Sequence, residues 1–144
     1  MQLPPTVTRV PLHTASKINA SIERNTSQRL EYLSHAGSAR RMERLRELDR
    51  EWDTERVLET NAASIILAGL MLGKFSNRKW YFLSGAVSAF LLQHALQGWC
   101  PPLPLIRRMG VRTAAEIEAE RKAILAMMQD DADKQASSSI GQNQ

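Results

Sequence analysis

The sequence predicts an all-α fold, a transmembrane helical hairpin with a charged amphipathic helix before it and a short helix after it. Three observations carry that prediction. Acidic residues are absent from positions 60–115, although positions 1–59 hold nine and positions 116–144 hold six. Two uncharged runs, 60–73 and 80–106, flank the basic link KFSNRK. Trp80, Tyr81 and Trp99 stand at the two ends of the second helix, where amphipathic rings settle at a membrane interface. The hydrophobic content of 43% would suit an ordinary soluble domain, so the segregation of charge decides the class.

Residues 1–38 contain Pro4, Pro5 and Pro11, many Ser, Thr and Asn, and only scattered apolar positions such as Ile18, Ile22, Leu30 and Leu33. Such a segment buries too little to offset its ordering entropy, so a largely disordered arm is expected, with a weak helix from about residue 16 to residue 33. No secretory signal is expected at its start, and an internal segment is expected to carry the chain to a membrane.

Residues 39–59 have no Gly or Pro, and Met42, Leu45, Leu48 and Trp52 recur at helical spacing, which predicts a charged amphipathic helix. Glu43, Glu47, Glu51, Glu55 and Glu59 repeat every fourth residue, and pairs such as Glu43 with Arg46 and Glu47 with Arg50 offset the like-charge repulsion. This ridge reads as a solvated face, or else as a cation-binding surface or a docking surface for a cytoplasmic protein partner.

Residues 60–106 are expected to form the hairpin. A bilayer core requires about 20 helical residues. The second helix, residues 80–99, has that length, and the first reaches it when extended over 57–75 with Glu59 and Lys74 reaching toward the interfaces. Leu, Ile, Phe and Val favour insertion by only about 0.3–0.6 kcal/mol each, so the helices are expected to insert as a unit. Pro101, Pro102 and Pro104 are expected to end the second helix, with Cys100 already extended. A soluble helical interaction module is the alternative, but the rest of the chain offers little apolar cover for these two helices.

Gly69 and Gly73 form a GxxxG pair that shares one face with Ala62, and Gly85 and Ala89 begin a matching stripe on the second helix. Small residues let helices approach closely in lipid, so these five positions are candidates for packing within one chain or between two, which would make a dimer. Gln93, His94 and Gln97 form a candidate intramembrane polar cluster, expected to join helices or to line a polar pocket. Ten Lys/Arg near the span ends (Arg41, Arg44, Arg46, Arg50 and Arg56 before the hairpin, Arg107, Arg108, Arg112, Arg121 and Lys122 after it), against three in its link, are expected to place both termini in the cytoplasm.

Residues 107–128 are expected to hold a cytoplasmic helix that opens on Thr113 and Glu116 as a capping box, and residues 129–144 a disordered tail. The net charge of +4 is interleaved with acid in the N-terminal arm, so nucleic acid is not an expected partner; membrane lipid is. A single cysteine excludes an internal disulfide, and no metal, cofactor or catalytic constellation is expected.

Gly98, Cys100, Pro101 and Gly110, within about residues 56–112, resemble the small inner-membrane hairpin domain of unknown function that some bacterial proteins carry fused to rhodanese, the YgaP-like transmembrane domain. The resemblance implies a bacterial inner-membrane protein with a dimer-forming hairpin, and it carries over no catalytic residue. Pro102, Pro104, Arg107 and Arg108 depart from the family's pattern, and no rhodanese domain is expected before the hairpin. In the fused relatives a rhodanese cysteine handles sulfane sulfur, which makes Cys100 a candidate reactive thiol for a sulfur or redox accessory role. Packing at the interface is the plainer role for it, since His94 lies one and a half turns back along the helix.

Overall fold

The computed structural model describes residues 4–141, and among them every regular element is a helix: α1 (Arg9–Leu12), α2 (Ser16–His35), α3 (Ser38–Arg50), α4 (Thr54–Phe75), α5 (Trp80–Gln97), α6 (Leu103–Arg108) and α7 (Ala114–Gly141). The chain divides into two compact units. The first comprises residues 1–20 and 52–114, the second residues 21–51 and 115–144.

In the first unit, α4 begins where Asp53, in extended conformation, accepts a 2.8 Å hydrogen bond from the Arg56 N–H. That cap divides the predicted helix over 39–59: α3 ends at Arg50, and residues 51–53 are not helical. Continuous helical periodicity conceals such a break, because Asp has adequate local alternatives to helix and a strong capping role. The side chain and backbone N–H of Thr54 both reach the carbonyl of Arg112, at 3.0 and 2.8 Å, which ties the start of α4 to the stretch of chain after α6.

α4 and α5 pack antiparallel: Gly73 meets Tyr81, Gly69 meets Ser84, and Glu55 meets His94. α5 ends on Gly98, whose φ of +78° lies in the left-handed region and whose N–H bonds the carbonyl of His94 at 2.7 Å. The prolines beyond it do not merely stop a helix. Pro102 and Pro104 sit at the start of α6, where a missing N–H and a fixed φ suit the first turn, so the expectation of non-helical chain there is corrected. Val10 of α1, Leu58 of α4, Cys100, and Leu103 and Ile106 of α6 form this unit's buried cluster.

The second unit is built differently. Leu33 of α2, Leu48 of α3, and Ile117 and Ile124 of α7 make a small core, with Leu30, Leu45 and Met128 against it. These contacts explain why residues 16–35 form a full helix where only a weak one, over residues 16 to 33 of a largely disordered arm, was expected: apolar positions too sparse to fold alone become sufficient beside partners far along the chain. α7 likewise runs to Gly141, past the expected end near residue 128, and the last three residues of the expected tail lie outside the described ones.

Charges supply the rest of this unit. Glu120, fully buried, accepts hydrogen bonds from Arg29 and Arg44, the shortest at 2.9 Å from Arg44 Nε. Burial opposes the charge on Arg44, but Glu120, Glu47 and Glu51 outweigh it and hold its pKa above the ordinary arginine value. Arg41, 4% exposed, donates to the carbonyls of Leu33 and Ser34 at the end of α2 and pairs with Asp131. The glutamate ridge of α3 pairs with Arg40 and Arg44, which precede the acids, rather than with Arg46 and Arg50. Of the predicted apolar stripe, Leu48 is buried and Leu45 packs on the core, while Met42 and Trp52 are exposed.

Candidate functional site

The face between α4 and α5 is made of small residues. A Cβ on Gly69 would overlap the Ser84 side chain, and one on Gly73 would stand 2.6 Å from the Tyr81 ring. Ser84 Oγ donates to the carbonyl of Ile66 at 3.1 Å, one polar contact across the pair. The polar residues of α4 that weigh against insertion satisfy themselves locally: Asn61 bonds the carbonyl of Val57 and Ser64 that of Thr60, both at 2.7 Å.

Large apolar side chains point the other way. Leu67, Phe75, Phe82 and Leu92 are each more than 60% exposed. By length and composition one helix among the described residues, ending at Phe75, is suited to crossing a membrane, and only 17% of its apolar window is buried. α5 carries Gln93, His94 and Gln97 in its last two turns.

The candidate packing residues separate into two groups. Gly69 and Gly73 are buried against α5, and Ala62 is half-buried, whereas Gly85 and Ala89 are exposed and no atom lies within 4 Å of a Cβ built at Gly85. The α5 face that meets α4 instead includes Tyr81, Ser84 and His94. The polar cluster also divides: His94 is buried, while Gln93 and Gln97 are half-buried. Trp80 begins α5 and Trp99 follows its end, and both remain exposed, as does Tyr81 over Gly73.

At the other end of the pair, four residues from four parts of the chain converge. His94 Nε2 lies 2.8 Å from Glu55 Oε2, and Glu55 Oε1 accepts from Arg9 Nη2 at 2.9 Å. Arg9 Nη1 donates to the carbonyl of Ala95, and the Arg9 backbone is pressed against Gly98 so closely that a Cβ there would stand 2.7 Å from it. Cys100, 3% exposed, lies where the Gly98 turn brings the chain back, and its thiol interacts with the His94 ring. Counting along the helix therefore conceals the proximity of Cys100 and His94.

Glu55 and Arg9 are the members that sequence reasoning missed. Glu55 is one rung of a regular glutamate ladder, and Arg9 one cation in an arm expected to be disordered. Spacing offers no signal for either, since Arg9 and Glu55 are 46 residues apart.

A helix pair with small residues inside and large apolar side chains outside packs as helices do in lipid. Residues 53–116, from the α4 cap to the first turn of α7, match the family described as the inner membrane protein YgaP-like transmembrane domain, so this segment is similar to a membrane domain. The chain matches no curated protein and no solved structure.

Proposed function

We propose that the chain is an integral inner-membrane protein in which α4 and α5 cross the bilayer as a hairpin, over residues 57–75 and 80–99, with both termini in the cytoplasm. One observation carries the reading: the surface of this pair is inverted, with glycine and serine inside and Leu67, Phe75, Phe82 and Leu92 outside. In water so much exposed apolar area is a liability, whereas in hydrocarbon it costs nothing. The exposed Gly85 and Ala89 suit close approach by a second copy, and the charged surface of α3 suits a cytoplasmic protein partner, so the biochemical role is self-association or scaffolding.

Membrane fractions washed with alkaline carbonate test the insertion. The protein stays in the pellet if the hairpin spans, and its recovery as a monodisperse soluble species without amphiphile removes the reading. Tags at both termini, digested from the cytoplasmic side only, test the orientation. For self-association, Gly85→Leu is expected to reduce a dimeric mass in detergent to a monomeric one.

A further inference from the structure

α6 is held at one level of the hairpin. Gly98 ends α5 in the left-handed region, and Leu103 and Ile106 of α6 then pack with Leu58 and Val57, the residues at which the proposed α4 span begins. α6 therefore stands beside the end of the hairpin, where hydrocarbon gives way to headgroups. A helix that meets water there would turn polar side chains outward. Instead its outer surface is made of Pro101, Pro102, Pro104, Leu105, Arg108 and Met109, five apolar residues and one cation. Leu105 and Met109, 62% and 66% exposed, are four residues apart and share one face.

Two further observations say what meets this face. Every exposed residue from Leu92 to Leu105 is apolar, with Leu92, Leu96 and Trp99 leading from α5 into α6, so the surface assigned to lipid continues without a polar boundary until Arg108. The charge of the unit is also one-sided. It holds nine Lys/Arg and three acids, of which Asp53 caps α4 and Glu55 pairs with Arg9 and His94, while Glu59 is exposed.

We propose that α6 is an interfacial helix docked on an anionic phospholipid leaflet, with Leu105 and Met109 among the upper acyl chains and Arg108 on the headgroup phosphate. The proposal rests on the hairpin reading. Six residues alone would hold weakly to a bilayer, but the inner face of α6 is already packed on α4 and its start is tethered to α5, so its outer face docks without a separate association step. The long stem of Arg108 lies along apolar surface while its guanidinium stays at headgroup level. α6 thereby fixes the depth of the hairpin and gives it a preference for anionic lipid.

The test uses the full chain carrying Cys100→Ala, which keeps the buried cluster apolar, with a bimane fluorophore on Met109→Cys. The protein is reconstituted into vesicles of phosphatidylcholine and phosphatidylglycerol. A nitroxide high on the acyl chain, attached to one lipid or the other, quenches the fluorophore only at close range. Both lipids are expected to quench, and phosphatidylglycerol to do so with about fivefold preference, as for one cation near an anionic surface. Arg108→Gln is expected to abolish the preference and keep the quenching, and Leu105→Asp to abolish the quenching. A fluorophore that neither lipid quenches overturns the proposal, whether aqueous iodide reaches it, so that the face meets water, or does not, so that another chain covers it. Equal quenching by the two lipids, or a preference that survives Arg108→Gln, overturns it as well. The same fluorophore on Leu67→Cys reads the hairpin separately. Quenching there but not at Met109→Cys defeats this proposal alone, and quenching at neither defeats the hairpin reading with it.

Discussion

The two units differ at their main helix contacts. The first places glycine and serine at its main helix contact and turns leucine and phenylalanine outward, whereas the second buries Glu120 and Arg41 in a thin apolar core and surrounds them with paired charges. Each is stabilised in its own way. The α4–α5 contact rests on close backbone approach, and the assembly of α2, α3 and α7 on satisfied buried charge. Substitutions therefore have unlike costs in the two.

The largest effect is expected in the second unit. Glu120→Ala leaves Arg29 and Arg44 facing a site without its carboxylate, and breaking a buried pair in this way costs about 3–5 kcal/mol. Chemical denaturation followed by circular dichroism measures it. If the loss is below about 1 kcal/mol, the charges of this unit behave like surface pairs and the contrast fails.

Next comes Gly73→Leu, which forces a side chain into the Tyr81 ring and is expected to cost about 1–3 kcal/mol of the α4–α5 association, read as lowered thermal stability in detergent. Gly85→Leu is its control. With open space at that position, the fold of the single chain should be unchanged, and a comparable loss from both would contradict the face assigned to α5.

Helices α4 and α5 are legible in the sequence because their signal is local: an acid-free stretch, a basic link, and aromatic residues at helix ends. What stays hidden there depends on partners far along the chain. α2 is helical because Leu33 finds Ile124, and the start of α4 is fixed by the carbonyl of Arg112, 58 residues away. The α5 contact face is not the expected stripe of small residues, because Ser84, beside Gly85, is the residue that contacts Gly69. At the thiol, a single left-handed glycine reverses the chain and converts a separation along the helix into a contact.

Two smaller effects refine the contrast between the units. Asp53→Ala removes the cap that starts α4 and is expected to cost about 1 kcal/mol, seen as a small shift of the denaturation midpoint. Arg40→Gln removes ion pairs to Glu43 and Glu47 that lie at the surface, and no resolvable change in stability is expected at moderate salt.

The contrast rests above all on the outward apolar face of α4 and α5 being in contact with lipid. Nitroxide labels at Leu67→Cys and, separately, Phe90→Cys, each in a Cys100→Ser chain reconstituted into bilayers, probe that contact. Relaxation at both positions is predicted to respond to oxygen, which concentrates in hydrocarbon, and hardly at all to a water-soluble nickel complex. A label at either position relaxed mainly by the nickel complex would mean that this face meets water instead.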